Sequence, residues 1–111
     1  MKKAIVIFFA TVFSACSVKL LVPSQTDVDR VSIKYSGYSL TELNEGKSLY
    51  QQQCGNCHGL KNPSSRTEAQ WNEIVPKMTK KANKNAEVIS AKTQELILKY
   101  LITMSTAPKT K

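Results

Sequence analysis

The sequence predicts an all-α fold of about three main helices. Three observations carry that expectation. Apolar residues recur at helical spacing in three stretches, two of those stretches open on capping-box patterns, and no stretch gives a convincing strand signal. The chain has 111 residues, which bounds it to one small domain. All three Phe lie within residues 1–15, and the remainder is roughly 36% apolar, a thin core for a free-standing domain. A covalently held cofactor would help fill it. Three Cys and one His exclude an all-protein zinc site at the usual spacing and a disulfide-dense mini-protein.

Residues 1–15 read as a cleaved signal peptide. Lys2 and Lys3 give a positive start, and Ala4 to Ala15 is an uncharged run too short to span a bilayer easily. The run ends Phe13-Ser14-Ala15-Cys16. Small residues before a Cys resemble the lipobox of bacterial lipoproteins. That resemblance implies cleavage before Cys16, lipidation of its thiol, and attachment on the periplasmic side of a membrane. The non-acidic Ser17 slightly favours the outer membrane.

Residues 16–38 then form the lipidated Cys and a tether, extended around Pro23, Ser24 and Gln25. Val28, Val31, Ile33, Tyr35 and Tyr38 give its later part the means to pack on the domain, which is expected over residues 39–111. The first helix opens on Ser39-Leu40-Thr41-Glu42 and aligns Leu43, Gly46 and Tyr50 on one face. A glycine inside a helix costs about 1 kcal/mol against alanine, so Gly46 predicts close approach by another element. The second opens on Thr67-Glu68-Ala69-Gln70 and aligns Trp71, Ile74, Val75 and Met78, with Pro76 expected to break or kink it just before Met78. The third follows Ser90 and aligns Ile97, Tyr100, Leu101 and Met104.

Cys54-Gly55-Asn56-Cys57-His58 is a CxxCH motif at the end of the first predicted helix. Two thiols at this spacing can reach the two vinyl groups of one haem as thioethers, and the adjacent imidazole can then bind the iron. A thiol–disulfide site would use the same two Cys, but it calls for a strand before the motif and a βαβ context, which this sequence lacks.

With that motif in place, residues 39–105 resemble a small mono-haem cytochrome c of the class I type. In that family the N-terminal helix leads into CxxCH and is crossed by a C-terminal helix near a small residue and an aromatic. Gly46 and Tyr50 match the first partner; Leu96, Ile97, Tyr100 and Leu101 match the second. Trp71, Ile74, Val75 and Met78 resemble a subgroup with a Trp-x-x-Ile/Val…Met pattern. The resemblance implies one covalent haem c held by Cys54, Cys57 and His58, and a one-electron carrier rather than an enzyme.

With one His, bis-His ligation within the chain is impossible. Met78 and Met104 remain as candidates for the sixth ligand, and periodicity does not separate them. The class I arrangement puts the last helix beside the haem, which disfavours Met104. A turn after Pro76 would aim Met78 at the iron. An open site for small-ligand binding or catalysis is the alternative. Arg66 is a candidate partner for a propionate or a solvated surface residue, and Trp71 a candidate propionate donor or, by preference, packing against the ring. The Asn62-Pro63 carbonyls are candidate acceptors for the motif imidazole.

Sixteen Lys+Arg against eight Asp+Glu give a formal charge of +8. Lys77, Lys80, Lys81 and Lys84 form a dense run, which predicts either a solvated helix face or docking to acidic redox proteins. An exported chain without a recognition motif argues against nucleic acid as a partner.

Overall fold

The computed structural model describes residues 19–55 and 60–108. The elements in order are α1 (Gln25–Arg30), α2 (Leu40–Cys54), a 3-10 turn (Pro63–Ser65), α3 (Glu68–Ala82) and α4 (Ala91–Ser105). No strand occurs among the described residues, so the fold is all-α. The three long helices are the three expected. The Ser39 hydroxyl accepts from the Glu42 amide at 3.1 Å, and Thr67 and Gln70 satisfy each other's backbone amides at 3.2 and 2.9 Å. Ser90 caps α4 in the same way.

Helix α4 is the hub and packs on α2, α3, the 3-10 turn and α1. The face of α2 that is buried consists of Leu43, Gly46 and Tyr50. Gly46 lies where α2 crosses α4. A Cβ there would fall onto the Leu96 carbonyl oxygen and within 2.8 Å of the Tyr100 Cβ. The close approach expected from this glycine is therefore present. Beside the crossing, the Tyr50 ring sits 5.7 Å from Tyr100 and 6.5 Å, edge to face, from Trp71.

Two features go beyond or differ from the expectation. Val28, Val31 and Tyr38, which gave the segment before Ser39 the means to pack on the domain, do belong to the same apolar cluster as Leu43 and Tyr100, and Leu20 joins them. Residues before Ser39 are thus more than a tether, because α1 lies across the end of α4. Arg30 donates to the Thr103 carbonyl at 2.7 Å and pairs with buried Asp27 at 2.8 Å. A cation on an orphan carbonyl in the last turn of a helix is favoured by both hydrogen bonding and the helix dipole. Coverage from this side explains why Ile102 and Thr103 are buried together with the predicted face of α4.

Pro76, in turn, does not break its helix; α3 runs through it from Glu68 to Ala82. Proline deletes the amide that would bond the carbonyl of Asn72. Both residues face solvent, where water can satisfy that carbonyl. Met78 consequently sits within a continuous helix rather than after a turn.

Among the described residues, no helix is long and apolar enough to cross a membrane. The proposed signal peptide and Cys16 lie outside the described residues.

Candidate functional site

The end of α2, the residues flanking the 3-10 turn, α3, the loop after it and α4 line a partly open cavity of about 220 Å³. Its walls are mainly apolar: Tyr50, Trp71, Ile74, Val75, Ile97 and Leu101. Cys54, the last residue of α2, reaches its edge. Met78 and Ile89 also line it, and Lys61 and Arg66 bring two cations. Four of the six residues expected at a cofactor are therefore brought together: Cys54, Arg66, Trp71 and Met78. The other two, Cys57 and His58, lie outside the described residues.

The local sequence explains each placement. Tyr50 is one turn before Cys54 on the buried face of α2. Its hydroxyl accepts from the Lys61 amide at 3.0 Å and donates to the Lys61 carbonyl at 2.7 Å. One phenol thus clamps the far end of the stretch between Cys54 and Lys61. Burial, opposed by the backbone contact with Lys61, pushes this phenol above its ordinary pKa, so it stays protonated and able to donate.

Trp71 is buried, and its indole N–H donates to the Pro63 carbonyl at 2.9 Å. The indole N–H is committed to the backbone, and the ring lines the cavity. The same carbonyl accepts from the Arg66 amide at 3.4 Å, while the Asn62 carbonyl accepts from the Ser65 amide and hydroxyl at 2.9 and 2.6 Å. Both carbonyls proposed as acceptors for the motif imidazole thus already carry two donors, the full complement of a carbonyl oxygen.

The two methionines separate clearly. Met104 is 3% exposed within the core cluster and does not line the cavity, whereas Met78 is 36% exposed and does. Arg66 is exposed at the rim and free of any carboxylate ion pair among the described residues.

Three contributors escaped the sequence reading. Tyr50 was legible as a packing aromatic, but its bond to Lys61 depends on a fold-back of the chain. Lys61 itself carried no pattern. Asn83, just after α3, accepts from the Val88 and Ile89 amides and donates to the Ile89 carbonyl, each at 2.8 Å. It folds the loop so that Ile89 closes one side of the cavity. An Asn immediately after a helical run was the one available signal.

A family model for dihaem cytochrome c matches residues 50–111, more than half of the chain. The chain belongs to the dihaem cytochrome c family. The match begins at Tyr50 and takes in the CxxCH motif and the elements that build the cavity. No curated protein and no solved structure matches the chain. The cytochrome has one CxxCH and one His, whereas the family is described as dihaem.

The residues around the cavity of the cytochrome fit a c-type haem. Apolar and aromatic walls suit a macrocycle, two cations suit acidic substituents, a thiol at the edge suits thioether attachment, and a thioether suits soft coordination to iron. The cavity is small against the ~300–1,000 Å³ of a typical ligand site, so such a group would have to extend through its open side.

Proposed function

We propose that the cytochrome is a one-electron carrier holding a single haem, with Cys54 and Cys57 as the attachment thiols, His58 as proximal ligand and Met78 as distal ligand. The haem supplies an iron that cycles between ferrous and ferric states. The protein's own part is to exclude water from the macrocycle and to set the ligands. The convergence of Cys54, Arg66, Trp71 and Met78 on one apolar cavity carries this reading. A single CxxCH supports one haem over two. A thioether ligand raises the potential and suits electron transfer.

The partners in this reading are redox proteins. Residues 1–15 serve as a lipoprotein signal peptide and Cys16 as the lipid anchor, which leaves the domain on the periplasmic side of a bacterial membrane. Mass spectrometry of natively produced protein tests both attachments at once: a haem mass on the Cys54–Cys57 peptide and a lipid mass on an N-terminal Cys16. Loss of the first defeats the carrier; loss of the second alone defeats only the anchor.

A second reading, an open distal site for small ligands, is favoured by the partial exposure of Met78 and by the unbroken course of α3. Ferric spectra decide between them. The carrier gives a sulfur–iron band that Met78→Ala removes; the open site gives a high-spin spectrum that Met78→Ala leaves unchanged.

A further inference from the structure

The chain joins the packed domain very soon after Cys16. Leu20 belongs to the core cluster, and Pro23 is buried as well. Only Ser17, Val18 and Lys19 separate Cys16 from Leu20. Extended chain covers that interval in at most about 14 Å. Between the two inward residues, Leu21 is 36% exposed and Val22 80%. Residues 20–23 thus lie along the domain as a strap with an apolar outer side. Lys19 at its head is exposed and enters no ion pair among the described residues. The strap leads straight into α1, and α1 covers the side of α4 away from the cavity. Among the described residues, none before Tyr50 lines that cavity. At about 100° per residue, Thr103 lies roughly 200° round α4 from the cavity-lining Leu101. Thr103 is fully buried, and its carbonyl takes the bond from Arg30.

We propose that the outer side of this strap, Leu21 and Val22, is a seat for the lipid bilayer surface, which holds the domain directly on the membrane with the cavity turned towards the aqueous phase. This seat rests on the lipid-anchor reading and adds a contact surface and an orientation to it. A lipidated Cys16 stays at the interface, and the short reach to Leu20 keeps the strap beside it. Two apolar side chains held there are stabilised by leaving water, and Lys19 suits anionic headgroups. Residues 17–25 contain no Asp or Glu that such headgroups would repel. Among the described residues, the exposed large hydrophobics divide between two sides of the molecule. Leu21, Val22 and Ile33 lie on the N-terminal segment, whereas Met78 lines the cavity and Val88 adjoins Ile89 in its wall. A second copy of this chain as occupant is opposed by the formal charge of +8. Seated this way, the domain presents its cavity to partners in the aqueous phase rather than to proteins within the bilayer.

The test uses natively produced, haem-loaded protein in vesicles of phosphatidylethanolamine and phosphatidylglycerol. With Cys54 and Cys57 attached to haem and Cys16 lipidated, Val22→Cys or Val88→Cys supplies a single free thiol for a nitroxide. Collision rates of the nitroxide with oxygen and with a nickel chelate read its depth, because oxygen concentrates in lipid and the chelate in water. The oxygen-to-nickel ratio is several-fold higher at position 22 than at position 88. Leu21→Asp in the Val22→Cys background brings the ratio down to that of position 88, while the lipid mass on Cys16 is unchanged. Equal ratios at the two positions, or no effect of Leu21→Asp, overturn the proposal. So does spin–spin broadening between labels at position 22 without raised oxygen contact, which assigns the strap to a second copy. Mass spectrometry keeps the two readings apart. Absence of lipid on Cys16 defeats the anchor and the seat with it, whereas lipidated protein with equal ratios defeats the seat alone.

Discussion

Asp27 and Tyr50 show how single polar groups fix the architecture around the cavity. Burial pushes the Asp27 carboxyl up, but hydrogen bonds from Arg30 and Ser24, together with the Arg30 charge, outweigh it and hold the pKa below the usual carboxylate value. The stabilisation from this group is therefore complete above the unfolded pKa of about 3.9 and is lost as pH falls through the lower folded value. Acid titration followed by amide exchange in residues 25–30 should release α1 in that window, and Asp27→Asn should flatten the dependence. Tyr50→Phe keeps the ring but strands both polar groups of Lys61, a loss of about 1–3 kcal/mol in denaturant unfolding, with faster exchange of the Lys61 amide. Unchanged exchange would mean that the hydroxyl clamps nothing.

At the scale of elements, the α2–α4 crossing decides the most. Gly46→Ala gains about 1 kcal/mol in helix propensity but drives a methyl into the Leu96 carbonyl and the Tyr100 Cβ. A backbone carbonyl cannot rotate aside as a side chain can, so the clash wins, and a net loss of about 1–3 kcal/mol is expected in thermal unfolding. This crossing was legible from Gly46 alone, because a glycine in mid-helix needs a reason. Helix α1 was not. It is only six residues long, and its signal was Ser24 followed three positions later by Asp27. The burial that makes it worth forming comes from α2 and from α4, the latter reached by Arg30 across 73 residues of sequence. The same limit applies to Pro76: local chemistry predicted a break or a kink, while the solvent-facing placement that lets the helix continue is a tertiary fact.

For the whole molecule, the candidate site was legible to the extent that its chemistry is written in residue types: thiols, a thioether, an indole and a guanidinium. What sequence did not supply was the ranking of Met78 over Met104 by cavity, which follows from the packing of α3 on α4 rather than from periodicity. That packing also buries phenols throughout the core. Desolvation raises the pKa of Tyr38, Tyr50 and Tyr100 above the ordinary value of 10, with neighbouring charges or phenols adding to it. Neutral phenols are favoured in the folded state. Their contribution is thus intact below about pH 10 and is lost as pH rises towards the folded values. Alkaline titration by circular dichroism should show one cooperative loss of helix coincident with tyrosinate absorbance. Separate transitions would place the phenols in independent sites.

Trp71 is the sole tryptophan in the sequence, and it is tied to Pro63 in the cavity wall. The molecule therefore carries a built-in optical gauge. Its indole emission comes from one known spot, so quenching during maturation would time the arrival of a chromophore in that space without any added label.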